Sequence, residues 1–482
     1  MTLPEAQHQH TADPTKHSKD VDVLVVGAGP CGLAATYEAA KRGLDVELVD
    51  SAAELGGMAA SFTVAGIRVD HGSHRLHPSM SPRVRLILDE LLGPDLQIRR
   101  RNGRLRLRDR WVEFPLRPVD MVANMPRSFV ASSARDVLTK PLRGRANTSY
   151  ADVIRTGLGP TALADFHGPM AQKLWGLPPE SLSAELAHKR VSVNSASKLA
   201  RTMARRASDR TFLYPRLGYG QIVDELAAGA ERAGATITPG VAVASMSQTP
   251  AAGSVGGNGT GRVVARLSDG RTVTARRVLW TASAQAMHQA TGDPARAAAT
   301  DIAMRGLVLV YLELSTQQYT AFDAHYVPHT DVAFSRLSEP RNYRDGPDAN
   351  DRTVLCAELP ASVGDDVWVA SDHDLSKLVT DGLAACDLPT AQPQSVHVKR
   401  LPRVYPVVTV EQAAEGGFRP SPDDSPTGVT VLGRQGLAVA DNLHHVVDMG
   451  LSAVDCIGDD GSWDAAAWAS HLDRFEHFVV ED

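Results

Sequence analysis

Apolar runs in this chain repeatedly stop at glycines. "VDVLVV" (Val21–Val26) has strand length and ends at Gly27. A run of this kind predicts a strand buried in a parallel sheet. "CGLAATYEAAKRG" follows, rich in alanine and closed by Gly43, and predicts a helix. "LDVELVD" (Leu44–Asp50) predicts the next strand. This alternation is that of a βαβ unit. Helical patterning returns in "SPRVRLILDELLG" and "SYADVIRTGLGPTALADFHGPMAQKLWG". "FLYPRLGYGQIVDELAAGAERAGATITPG" reads as loop, helix and strand. "GRVVARLSDGRTVTARRVLWTAS" reads as two alternating strands joined at Asp269-Gly270, then a further strand. Strands are expected around "GLVLVYLEL" and "TVLCAELP", and a loop entering a helix in "GLAVADNLHHVVDMGLSAVDCIG".

The patterning therefore splits one α/β unit into pieces at 21–80, 212–300 and 425–482. A mainly helical insertion is expected at 81–211 and a mixed α/β segment at 301–424. Residues 1–20 are polar, lack the apolar centre of a signal peptide, and read as a disordered tail. "QTPAAGSVGGNGTG" (Gln248–Gly261) has the composition of a flexible loop.

Composition narrows the function classes. At 482 residues the chain has room for two or three domains of about 100–200 residues each. Hydrophobic residues make up 43%, enough for an ordinary core without staples. The net charge of −6 argues against a nucleic-acid partner. The basic run "IRRRNGRLRLRDR" (Ile98–Arg110) reads instead as an amphipathic strand with one solvated face. Four scattered cysteines contain no C-x-x-C pair, so no metal site is assigned. No apolar run reaches the ~18 residues of a membrane span, and a cytoplasmic setting is expected.

Gly27-Ala28-Gly29-Pro30-Cys31-Gly32 fits G-x-G-x-x-G between a strand and a helix. Gly27 permits the tight turn, Gly29 lets a pyrophosphate approach the backbone, and Gly32 lets helix pack on strand. The phosphates then face a helix N-terminus, where free N–H groups favour negative charge. Asp50 closes the second strand, where an acid binds ribose hydroxyls and disfavours the 2′-phosphate of NADP.

"SAAELGGMAASFTVAGIRVDHGSHRLHPS" comes next. With it, the chain resembles the FAD-dependent oxidoreductase superfamily of UDP-galactopyranose mutase, protoporphyrinogen oxidase and flavin amine oxidases. Glu54, Gly56 and Gly57 match that family's acid and Gly-Gly pair along FAD. "DHGSHRLHPS" resembles its G-x-H-x-x-H segment against the flavin ring, giving His74 and His77. "QKLWGLPPESLSAELAHKR" resembles its K-x-W-G motif and downstream arginine, giving Trp175 and Arg190. "YPRLGYGQIVDEL" resembles its glycine-rich turn, with Gly218 and Gly220. "VAFSRLSEPRNYR" and "RVYPV" give Arg336 and Tyr405. "VTVLGRQGLAVADNLHH" resembles its closing FAD segment, with Gly433, Arg434, Asn442 and Leu443. An arginine leaving a strand, as Arg434 does, suits bidentate pairing with pyrophosphate.

The resemblance implies an α/β fold, a Rossmann-like FAD-binding domain of the GR2 flavoprotein type, with inserted helical and mixed-sheet substrate domains. It implies FAD as cofactor and a small-molecule substrate, with a sugar nucleotide or glycoside as the class in view. In the leading reading the chain is an oxidoreductase passing a hydride to flavin N5. Arg336 and Arg190 hold the substrate beside Trp175 and Tyr405, and His74 or His77 takes a proton. The alternative is a redox-neutral sugar-nucleotide mutase using reduced FAD. Departures from the mutase pattern bear on that choice: Met170 stands five residues before Trp175, where the mutase has an aromatic, and "RVYPV" carries one tyrosine where the mutase has a pair. A third class is a non-catalytic FAD-binding protein. A homodimer is compatible with each.

Overall fold

The structure, a computed structural model, describes residues 18–144, 146–191, 211–249, 261–415, 425–439 and 441–480. The βαβ unit forms as the patterning predicts. Strand Ser18–Val26 leads into helix Pro30–Lys41 and strand Val46–Asp50. The first strand lies parallel to Val46–Asp50 on one side and to Thr272–Trp280 on the other. The seven-stranded sheet runs Val243–Gln248, Val263–Leu267, Thr272–Trp280, Ser18–Val26, Val46–Asp50, Thr236–Pro239. Val429–Val431 pairs parallel with the last residues of Thr272–Trp280. Pieces from the start, middle and end of the chain thus share one sheet.

Three details depart from the sequence reading. The first strand begins at Ser18, inside the expected tail, because Ser18–Asp20 extend the ladder with Thr272–Thr274. The segment after Asp269-Gly270 is one nine-residue strand rather than two, antiparallel to Val263–Leu267 at its start and parallel to Val429–Val431 at its end. The 81–211 insertion is not uniformly helical. Gly103–Leu107 and Arg110–Phe114 form a hairpin that joins the second sheet, whose order is Ser395–Pro406, Met304–Leu314, Thr353–Ala361, Arg336–Ser338, Ala324–Tyr326, Gly103–Leu107, Arg110–Phe114. The arginine-rich run therefore ends in sheet structure as expected, but Arg106 is buried, paired with Asp109, rather than solvated. Residues 1–17 and 250–260, read as a tail and a flexible loop, lie outside the described residues.

Helices Pro30–Lys41, Gln221–Arg232 and Leu443–Asp455 cover one face of the first sheet and share its largest apolar cluster. Two of them touch backbone to backbone: a Cβ on Gly450 would stand 2.3 Å from the carbonyl oxygen of Cys31. The second sheet packs against the remaining helices of the insertion through Trp175, Tyr150, Ile154 and Leu186. Among the described residues no helix is long and apolar enough to cross a membrane.

Candidate active site

The glycine turn, the end of the second strand and the start of the first helix meet at one edge of the first sheet. A cavity of about 970 Å³ begins there and reaches the second sheet. That is the upper end of the roughly 300–1,000 Å³ typical of small-molecule sites. Gly27 has φ +105°, and a Cβ there would meet Thr281 Oγ1 at 2.3 Å. A Cβ on Gly32 would fall 1.9 Å from the Gly27 carbonyl oxygen. A Cβ on Gly29 would meet nothing within 4 Å, because its bare side faces the cavity. The three glycines thus divide into turn, packing and approach. Asp50 lines the same end, and its carboxylate accepts from Ala28 N (2.6 Å) and Ala52 N (2.8 Å).

Further in, the N-terminus of helix Leu443–Asp455 joins that of Pro30–Lys41. Asn442 is its N-cap, in a reciprocal capping arrangement with His445. Asn442, Leu443, Gly57 and Arg434 line this middle stretch. Two helix N-termini aimed at one cavity suit an anionic group. Arg434 is held by Asp441 and by the carbonyl of Val404 (2.9 Å), so its direction is set by protein groups. Burial pushes the Asp441 carboxyl up to about 6, against the opposing pull of Arg434. Gly32, Gly56 and Gly433 stand behind the wall rather than in it. Gly433 packs on Cys31, and Gly56 donates its N–H to the Ala28 carbonyl (2.8 Å).

The far end gathers charge and aromatic rings. Arg336 makes a two-point ion pair with Glu358, both bonds 2.9 Å. Glu358 is 2% exposed and also accepts from Ser73 N at 2.6 Å. Arg190, at the end of helix Ala184–Arg190, stacks its guanidinium over Trp175 (5.2 Å) and Tyr405 (5.0 Å). Trp175 is fixed in turn by its indole N–H to the Pro406 carbonyl (3.1 Å). His74 stacks on Tyr219 with centroids 4.9 Å apart, and His71 bonds Gly57 O through Nδ1 (3.1 Å). All of these line the cavity.

The structure brings together Gly27, Gly29, Asp50, Gly57, His74, Trp175, Arg190, Arg336, Tyr405, Arg434, Asn442 and Leu443. It does not bring His77 there. Three residues after His74, its ring lies outside the cavity lining and pairs with Ser79 Oγ (2.7 Å), so the structure does not support the catalytic assignment of His77. Glu54 is also remote, beside Lys399 at 3.5 Å. Gly218 and Gly220 form a turn against Ser61 and Arg68, and it is Tyr219 between them that reaches the cavity. Sequence reasoning missed Tyr219, His71 and Glu358. A lone acid inside the apolar run "TVLCAELP" was the available signal, since a buried carboxylate requires a partner.

The two histidines are held neutral. Burial pushes His74 down to about 3, helped by the nearby Arg336, and His71 down to about 4. In the unfolded chain both would protonate near their ordinary value, so folding stability is complete above about pH 6.5 and falls as the pH drops toward 4. His74→Phe keeps the stack on Tyr219 and removes one of these groups. It is expected to flatten the loss by ~1.4 kcal/mol per pH unit across that window. Urea unfolding at pH 7, 6 and 5 measures this; equal slopes in both proteins would contradict the neutral assignment.

Comparison with known proteins agrees with this architecture. Residues 25–91 match the family of NAD(P)-binding Rossmann-like domains. Reduced UDP-galactopyranose mutase superposes with a TM-score of 0.72 at 18% identity, covering 90% of this chain and 93% of that one. At this level of identity the likeness is one of fold, shared along nearly the whole chain. A protoporphyrinogen oxidase candidate from Exiguobacterium sp. 255-15 gives 0.69 at 18% identity, covering 91% and 98%. Putrescine oxidase bound to putrescine gives 0.63 at 16%, covering 91% and 99%. A ferredoxin–NADP reductase from Nocardioides sp. is 61% identical over 44 residues, which are 9% of this chain and only 13% of that protein.

Proposed function

We propose that this chain is an FAD-dependent oxidoreductase acting on a polar small molecule, with a sugar or glycoside as the substrate class. The observation that carries the reading is one continuous cavity. It joins the glycine turn and Asp50 to a far end of arginines, aromatic rings and neutral histidines. The residues present fit FAD. Gly29 leaves open space beside two helix N-termini for the pyrophosphate. Asp50 stands where ribose hydroxyls would lie. The buried Nδ1 of His74 and Oδ2 of Asp441 have no hydrogen-bond partner among the described residues, and both residues line the cavity, so a bound cofactor could supply one.

When bound, FAD supplies the two-electron acceptor for a substrate C–H. The chain's own residues bind and orient. Arg190, stiffened between Trp175 and Tyr405, presents a fixed cation to an anionic or hydroxylated substrate. Arg336 offers its outer edge while Glu358 fixes its plane. His74, kept neutral by burial and by Arg336, is a weak base that hydrogen-bonds a substrate hydroxyl rather than storing its proton.

The excess of arginine over acid at the far end also suits the diphosphate of a sugar nucleotide, which keeps the mutase reading as the second one. One experiment separates them. The purified protein is expected to show flavin absorption, and anaerobic titration with glycosides and nucleotide sugars is expected to bleach it. A colourless protein that does not take up FAD overturns both readings. Conversion of a nucleotide sugar only by pre-reduced protein, with no acceptor consumed, replaces the oxidoreductase with the mutase.

A further inference from the structure

The helical insertion carries an apolar face that no element among the described residues covers. In helix Pro118–Asn124, Val119, Val122 and Ala123 are exposed at i, i+3 and i+4. In helix Arg127–Thr139, Ala131, Ala134 and Leu138 are exposed at i, i+3 and i+7, with Val137 beside them. Leu142, in the turn that follows, is 85% exposed, Val119 81% and Leu138 78%. The opposite side of the second helix is spent on the fold: Phe129 enters a small core with Leu105, Leu107 and Met125. Residues 118–144 carry Arg127, Arg135, Lys140 and Arg143 against two acids: Asp136 is buried and accepts from Thr161 N at 2.8 Å, and Asp120 accepts from Glu113 N and Asn124 Nδ2 at 2.8 and 2.7 Å. In a chain of net charge −6, this segment has a surplus of bases and presents Arg127 and Arg135, both exposed, beside its aliphatic side chains.

We propose that these two helices dock the protein on an anionic lipid surface, with the aliphatic stripe at the acyl boundary and the bases among the headgroups. An interfacial helix needs an apolar face flanked by Lys and Arg, which this pair supplies. Charge complementarity favours anionic lipid over a neutral surface. The stripe also lacks the Trp and Tyr anchors that dominate protein interfaces; the segment's one aromatic residue, Phe129, is buried. Phe114 and Phe166 pack on the small core beneath the helices and also line the cavity. Docking would therefore bring the substrate end of the cavity close to the bilayer.

The test is co-sedimentation of the full chain with vesicles of equal phosphatidylglycerol and phosphatidylcholine, against phosphatidylcholine alone. Binding is expected to the first and not to the second, and to fall in high salt. Leu138→Glu with Leu142→Glu is expected to weaken partitioning by about tenfold or more, as loss of two inserted leucines requires. Arg127→Gln with Arg135→Gln, which leaves the stripe intact, is expected to weaken it by roughly tenfold or more. Both variants should melt as the parent does, since none of the four side chains is buried. No binding to anionic vesicles, equal binding to neutral ones, or binding unchanged in the glutamate variant overturns the proposal. So does a change of oligomeric state in the glutamate variant without vesicle binding, which would give the stripe to a second copy of the chain.

Discussion

Gly32→Ala is expected to prevent stable folding, whereas Gly29→Val should fold normally and fail to retain flavin. The two glycines are three residues apart and do unlike things. The Cβ added at 32 would lie 1.9 Å from a backbone carbonyl oxygen, with Val25 Cγ1 at 3.2 Å on another side. Neither the turn nor the strand can give way without parting helix Pro30–Lys41 from the sheet. Overpacking of a tight core costs about 1–3 kcal/mol, and more where the obstacle is backbone. The cost here belongs at or above the upper figure. At 29 the added side chain enters open space, so stability should stay within ~0.5 kcal/mol of the parent. It would occupy the room that the proposed function gives to the pyrophosphate. Thermal melts and the ratio of flavin to protein absorbance separate the two effects. A Gly29→Val protein that keeps full flavin would remove the turn from the binding site.

Glu358→Ala is expected to destabilise the protein by ~3–5 kcal/mol, the cost of stranding one member of a buried ion pair. Three donors lose their acceptor at once: Nε and Nη2 of Arg336 and the backbone N–H of Ser73. Glu358→Gln retains an acceptor for Ser73 and should lose less than the alanine variant. In both, Arg336 is freed to move, so substrate turnover should fall even where the protein still folds. Chemical denaturation with the flavin signal as a second probe measures this. Equal stability of the parent and the alanine variant would show that the pair carries no net stabilisation.

The parts of this molecule legible in its sequence are those whose physics is local. The βαβ unit could be read because a buried strand, a bare turn and a small-residue helix are contiguous, and each limits its neighbour. Asp50 followed from the length of that unit. The far end of the cavity is assembled otherwise. Arg336 and Glu358 sit on adjacent antiparallel strands, 22 residues apart, and nothing in either segment alone announces the pairing. The first strand of the hairpin Gly103–Phe114 is legible in the alternation of "RLRLRDR", but its place in a sheet is not, because the other strands of that sheet come some two hundred residues later. Motif spacing points to His74 and His77 and is silent on His71. The backbone decides otherwise: the turn at Gly72 sends His71 and His74 inward, and His77 lies outside the cavity lining.

The contact of Gly450 with Cys31 sets an order on biogenesis. The first helix leaves the ribosome early with a small-residue face shaped for one neighbour, and that neighbour is made some four hundred residues afterwards. Until then the face has no native cover, and non-local closure of this kind is slow and exposed to aggregation. A chain stopped before residue 443 would hold the glycine turn and both of its strands yet lack a wall of its cavity. Such a product is a substrate for chaperones and proteases rather than a partial flavoprotein.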